Sequence, residues 1–454
     1  MIRLCALLLV LVPVSARAGL TVIVDGSPPL PDPVATGLAS AEATDSSLAA
    51  LQDSLLQWYL AEGYPFAGAG LVFLSADTLL ANVVPGRHAA LEEARIEGAP
   101  RTRPSVFLRL LRLRPGEPYD REEVREWRGR LERLPFVESV GATGLLMGPY
   151  GDLVVVQQVE EGPQGTLSAS LGWDGERAEG GAEALFTNLA GTARQLEISG
   201  AATPWGGLDA RIRYREPWLL GIPLSVELVA AQETPESSWV NREGSLSLIW
   251  ETDRLETSAG AGAWRGYPPD GSRESYDYGL AGIRYLPGRR VPQGWLGADV
   301  SIVARVGDLS DGSSGGGLLS LAGLVSSGHW YGGALGLGGE LLAGGVMSGG
   351  WVEGLLVTLG GQETLRGYPE DAFTAVRYVV ARPEASVGET STRAYLFADL
   401  AAIETMGGSD RFPAGCGAGL RGGAGAFRTD VAAGFPILEG IGNARVYLRV
   451  AAAI

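Results

Sequence analysis

The stretch Asp209-Ala210-Arg211-Ile212-Arg213-Tyr214-Arg215 alternates in polarity with a period of two. In an extended strand successive side chains point to opposite faces. Ala210, Ile212 and Tyr214 therefore share one face, and Asp209, Arg211, Arg213 and Arg215 share the other. The same alternation returns near the C-terminus, where Val446, Leu448 and Val450 oppose Arg445, Tyr447 and Arg449. Between the two, Val300, Ile302, Ala304 and Val306 oppose Asp299, Ser301 and Arg305. A soluble barrel or sandwich would bury the apolar face in a dense core. Here that face is mild, as in Ala394, Leu396, Ala398 and Leu400. Segments of about ten residues with this alternation, parted by Gly, Pro, Asp and Asn turns, are the pattern of an outer-membrane β-barrel.

Outward from that stretch, the texture holds from Gly162 to the end of the chain. About sixteen segments fill roughly 290 residues, an even number as a single-chain barrel requires. They begin near 165, 178, 192, 207, 222, 240, 254, 274, 295, 317, 331, 375, 392, 415, 426 and 443. The turns after even-numbered segments are short: Asn188 to Thr192, Glu251 to Arg254, Arg421 to Gly425. Short turns belong on the periplasmic side. One long interruption, Gly344 to Thr374, follows an odd segment, so it lies on the outer side or folds into the lumen. Trp173, Trp205, Trp218, Trp239, Trp264, Trp295 and Trp330 fall near segment ends, as an aromatic girdle would, the alternative being ordinary buried tryptophans. His329 reads as a turn residue at the Gly328-His329-Trp330 hairpin, His88 as a surface residue, and Cys416 as a small strand residue.

Upstream the periodicity changes. Glu92 to Glu97 reads as a strand, Pro104 to Leu113 as a helix, and Asp120 as the cap of a second helix with Val124, Trp127, Leu131 and Leu134 on one stripe. Phe136 to Ala142 and Asp152 to Glu160 close this α+β unit as strands. Before it lies a weaker copy. A helix carries Leu48, Leu51, Leu55, Tyr59 and Leu60, two strand-like runs follow at Gly70 to Leu74 and Thr78 to Val84, and no opening strand is clear. A proline-rich stretch, Pro28 to Pro33, precedes the helix. Arg3, the apolar run Leu4 to Val14 and Ala16-Arg17-Ala18 form an expected secretory signal peptide over residues 1–18.

Composition narrows the function. The 454 residues include 67 glycines and 19% charged residues, with a net charge of −16. All 36 cations are arginine, and none gather into a phosphate-binding stripe, so a nucleic-acid partner is not expected. Two histidines and two cysteines are too few and too scattered for a zinc site or a His-dependent catalytic triad. Removal of the leader takes Cys5 with it and leaves Cys416 unable to form an internal disulfide. No catalytic constellation is visible, so no enzyme, metal or cofactor is expected.

The chain resembles the BamA/TamA superfamily of outer-membrane assembly and translocation proteins, which includes the two-partner secretion translocators. Four stretches carry the likeness. Ile96-Glu97-Gly98 through Leu134-Pro135-Phe136-Val137 to Val156-Gln157 is similar to a polypeptide-transport-associated (POTRA) domain. Asn188-Leu189-Ala190-Gly191 and Arg215-Glu216-Pro217-Trp218 resemble early barrel turns. Gly360-Gly361-Gln362-Glu363-Thr364-Leu365-Arg366-Gly367-Tyr368 resembles the family's lumen-inserted loop with its Arg-Gly-aromatic tip. Phe397-Ala398-Asp399 and Gly417-Ala418-Gly419-Leu420-Arg421 resemble the late strands. The family usually ends in an aromatic residue, whereas this sequence ends Ala452-Ala453-Ile454.

The resemblance implies a transmembrane antiparallel β-barrel of about sixteen strands, preceded by two small periplasmic α+β POTRA-like domains. The expected divisions are 1–18 signal peptide, 19–90 weaker POTRA-like unit, 91–162 POTRA domain and 163–454 barrel. It places Arg366, Gly367 and Tyr368 at the tip of the working loop. If Leu396 and Leu400 face lipid, Asp399 faces the lumen, where an arginine can pair with it. The alternative is a solvated surface loop with an incidental charge. The implied function is assembly or translocation at the outer membrane, with the N-terminal units in the periplasm. The implied partners are unfolded β-rich clients, outer-membrane lipids and periplasmic accessory proteins. Clients would be caught by adding a strand to an open sheet edge, at Asp152 to Glu160 or its neighbour. The alternatives are a two-partner secretion translocator for one dedicated protein and a passive pore or receptor barrel.

Overall fold

The computed structural model describes residues 21–25, 45–75, 78–148, 152–173, 178–202, 207–236, 239–252, 254–286, 289–291, 294–310, 315–332, 334–349, 351–389 and 391–454. The expected leader, the proline-rich stretch and Trp205 lie outside these residues. Two compact units divide near residue 160, an N-terminal α+β unit and a barrel.

In the barrel, sixteen long strands run from Gly165–Trp173 to Arg445–Ala453, each antiparallel to its neighbours. The last pairs with the first, Val446 opposite Trp173 through to Ala453 opposite Thr166, and the sheet closes. Closure satisfies every strand's backbone donors and acceptors internally, which is what a sheet in lipid needs. Strand starts at Gly165, Ala178, Glu274 and Thr392 coincide with the alternation in the sequence. The alternation also sets the faces. Ile212 of Leu208–Glu216 points outward, while Arg211 and Arg213 turn inward onto Glu233 (3.4 Å) and Glu197 (3.1 Å). Further along the wall, Arg215 meets Glu251 and Arg284 meets Asp299, each at 2.6 Å. An arginine at the lipid midplane costs about 2–4 kcal/mol, so a one-residue slip of register would be strongly disfavoured.

Three expectations change here. His329 is not in a turn: Gly315–Gly332 is one strand, with His329 opposite Gly297 on one side and Gly338 on the other. Glycine and histidine look like punctuation in sequence, but the ladders on both sides carry the strand through them. The long interruption spans 349–376, since Leu335–Ser348 continues past Gly344. The girdle is partial. Trp173 is exposed on the outside, whereas Trp239 and Trp264 are buried within the barrel.

The N-terminal unit holds two sheets. In the first, Thr21–Asp25 lies parallel to Thr78–Val84, which pairs antiparallel with Gly68–Ser75. The opening strand missing from the sequence reading is thus Thr21–Asp25, only five residues long and adjacent to the prolines. Helix Asp45–Ala61 packs Leu51 and Leu55 on Leu79 and Ala81. In the second sheet, the order is Glu117–Pro118, Ala90–Glu97, Asp152–Glu161, Val137–Met147. Asp152–Glu161 is therefore central and offers no edge; its neighbour Val137–Met147 is a free edge, and on the other side Glu117–Pro118 covers only Ala90 and Leu91 of Ala90–Glu97. Asp120 caps helix Arg121–Glu132 by accepting from the Glu122 N–H at 2.8 Å. Trp127 and Leu131 of that helix and Phe107 and Leu111 of Pro104–Leu111 are almost completely buried.

Candidate functional site

The loop 349–376 enters the barrel and seats against its inner wall in two stages. Its first part is apolar. Val352 and Leu356 join a cluster with Trp264, Tyr276, Tyr278, Leu309, Val346 and Val376. Asn241 accepts from the Trp239 indole N–H at 2.9 Å and donates to the Gly354 carbonyl at 2.9 Å. These two tryptophans hold the loop rather than meeting the membrane interface.

The second part carries the charge. The Arg366 guanidinium lies in bidentate contact with Asp399, Nε to Oδ2 at 2.8 Å and Nη2 to Oδ1 at 2.6 Å. The Arg366 backbone N–H also donates to Oδ2 at 2.8 Å. Asp399 is fully buried, and Arg366 is 6% exposed. Asp399 sits on Thr392–Glu404, where Leu396 and Leu400 point outward, so alternation aims the carboxylate inward. The guanidinium stacks 3.8 Å from the Phe397 ring centroid, and Glu384 stands 3.7 Å away. A buried, desolvated charge needs this full set of partners.

Gly367 and Tyr368 complete the tip. Gly367 has φ +96°, and a Cβ there would come within 2.8 Å of the Phe435 backbone, so only glycine lets the loop lie this close to the wall. Its N–H donates to the Tyr447 hydroxyl on the last strand at 2.9 Å, and that hydroxyl donates to the Tyr368 carbonyl at 3.3 Å. The Tyr368 ring packs edge-on to Phe373 beside Leu359, Leu365 and Ile403, and its hydroxyl donates to the Ala414 carbonyl at 3.3 Å. The structure thus gathers Arg366, Gly367, Tyr368 and Asp399 at one place.

Several partners escape sequence reading. Arg382 donates to the carbonyls of Gln362 and Glu363 at 2.8 Å each, covering the one-turn helix Gly361–Thr364, and meets Glu340 at 2.6 Å. The alternation places Phe397 and Tyr447 on charged, inward faces, but it cannot say what they touch. Glu370 is the other missed residue. Its carboxyl accepts from the Gln362 N–H at 3.2 Å. Burial, assisted by Asp371, Glu179 and Glu363 nearby, pushes its pKa up to about 7. On the side of the first four strands the loop leaves a polar cavity of about 540 Å³. Among the described residues, no group of acidic, histidine or cysteine side chains could hold a metal ion.

Residues 90–162 match the POTRA family model, described as surface antigen variable number repeat. No curated protein matches the chain in sequence. Solved structures match over nearly all of it. The structure of BamA from Haemophilus ducreyi lacking POTRA domains 1-3 aligns with 97% of this chain and 100% of its own, at 16% identity and a TM-score of 0.59. CdiB from Escherichia coli aligns over 95% and 90%, at 18% identity and 0.63. CdiB from Acinetobacter baumannii aligns over 91% and 83%, at 12% identity and 0.59. At these identities the likeness is one of fold. It extends over both the unit that matches the POTRA model and the sixteen-stranded barrel.

Proposed function

We propose that this chain, a POTRA-bearing barrel with the fold of BamA and CdiB, is a non-enzymatic outer-membrane factor that inserts or translocates other β-rich polypeptides. The observation that carries this reading is the loop latched inside the barrel by Arg366 and Asp399. A passive pore is selected for an open lumen. Here a loop occupies the lumen and is held by a small set of specific contacts, so passage requires it to move.

In this reading the N-terminal units stand in the periplasm and catch clients in extended form. The free edge Val137–Met147 supplies unpaired backbone groups, so a client can add a strand with little demand on its own sequence. The client then leaves through the lumen or through the seam between first and last strands. The cycle needs client, outer-membrane lipid and periplasmic accessory proteins, and no cofactor. A dedicated two-partner secretion translocator is the second reading. It is favoured by the two small α+β sheets before the barrel, a size that suits such proteins.

Crosslinking in the periplasm followed by capture of the full chain separates the readings. Enrichment of many unfolded barrel proteins supports assembly, and a single large secreted β-helical protein supports dedicated secretion. Recovery of neither overturns the client-handling proposal.

A further inference from the structure

The seam of the barrel is its short side. The first and last strands have nine residues each, as do the third and fourth, against twelve to eighteen in the six long strands from Leu224 to Gly332. The first strand also presents only small residues inward: Ser168, Ser170 and Gly172 line the cavity, while Leu167, Leu171 and Trp173 point out. Long side chains of the last strand can therefore pass over the first strand and reach the second.

Two arginines do so. Arg449 lies opposite Ser170, which lies opposite Gly181, yet its Nη2 stands 3.7 Å from Glu183 on the second strand, Ala178–Leu189. Nearer the other end of the first strand, Arg445 Nη1 stands 3.9 Å from Glu179 Oε2. The Arg445 and Glu179 side chains are only 12% and 10% exposed. The same Glu179 oxygen accepts the backbone N–H of Glu370 at 3.3 Å. One buried carboxylate on the second strand thus faces the last strand and the plug loop together. The loop in turn grips the last strand through Gly367 and Tyr447.

We propose that Arg445 and Arg449 strap the first strand in place from inside the barrel, and that Glu179 couples this strap to the seated loop, so that unseating the loop loosens the seam. The coupling gives the client-release step a physical basis and in that respect rests on the proposed function. The mechanical claim itself needs no client.

Hydrogen exchange on the purified full chain in detergent micelles provides the test, with folded protein selected by heat-modifiable gel mobility. Glu179→Gln should speed exchange roughly tenfold in both Gly165–Trp173 and the loop, with Leu224–Glu236 unchanged. Arg445→Gln should speed exchange at the seam. Arg366→Ala, which unseats the loop from the far side, should speed seam exchange in the wild-type background and add nothing beyond Glu179→Gln. If Glu179→Gln fails to fold, the swapped pair Glu179→Arg with Arg445→Glu replaces it and should restore seam protection relative to either single change. Unaltered seam exchange in Glu179→Gln and Arg445→Gln overturns the strap. Seam exchange that ignores Arg366→Ala overturns the coupling. Equal acceleration at Leu224–Glu236 shows general loosening and overturns both. Because no client is present, these failures leave the crosslinking result to judge the functional proposal separately.

Discussion

Arg366 and Asp399 form a pair with almost no access to water, and that sets the size of the expected effect. Removing one partner of a buried pair leaves an uncompensated charge and costs about 3–5 kcal/mol, far more than an exposed pair. Arg366→Ala and Asp399→Ala should each unseat the loop, read as lost protection of residues 360–370 from hydrogen exchange. The double variant should cost little more than either single one. Strict additivity would show that the two residues are not coupled. Glu370 supplies a second residue-scale expectation. Its pKa in the seated loop is raised to about 7 from an ordinary 4.5. A raised carboxyl pKa means the seated state prefers the neutral acid. Its contribution to seating is fully present below the ordinary value and is lost as pH rises through about 7. Loop protection should therefore weaken between about pH 5 and 8, and Glu370→Gln should remove most of that dependence. A variant with the same pH profile as the parent would assign the titration to another group.

At the scale of elements, the second α+β unit is the part most able to stand alone. Its two helices bury Phe107, Leu111, Trp127 and Leu131 against one face of a four-stranded sheet. Residues 90–162, expressed alone, should melt in one cooperative transition by circular dichroism. About 70 residues is close to the lower limit for an unaided core. Trp127→Ala, which costs roughly 3–5 kcal/mol in a core, should abolish that transition. Persistence of the transition in Trp127→Ala would show that the helix is not the keystone of the sheet. This unit was legible because a capped helix and a 3.6-residue apolar stripe are local signals. Its edge was not. Asp152–Glu161 and Val137–Met147 both read as strands, and only the pairing order shows which is central. The same holds for Thr21–Asp25, whose five residues become a strand only by pairing with Thr78–Val84.

For the whole molecule, the closed ladder and the outward apolar face lead to one expectation. The chain should fractionate with the outer membrane and migrate differently on gels before and after boiling. Recovery from the soluble periplasm would reject the barrel as a membrane element. Arg366→Ala should leave this behaviour intact, since sixteen strands of backbone pairing do not depend on one loop.

What the sequence by itself determined is periodic. Alternation at Asp209–Arg215 and Arg445–Val450 specified strands, their inward and outward faces and their number, because a side-chain period of two is a property of each strand alone. Asp399 was aimed inward for the same reason. The tertiary structure decided what meets across the lumen. Trp239 and Trp264 have the same local pattern as girdle residues, yet the loop converts their positions into its seat. Arg382, Glu370 and Glu179 become partners of loop backbone groups 20, 8 and 191 residues away along the chain, which no period encodes. The physical reason is closure. Bending sixteen strands into one ring brings the second, thirteenth and last strands around a common interior, and contacts there depend on that ring rather than on any strand's own sequence.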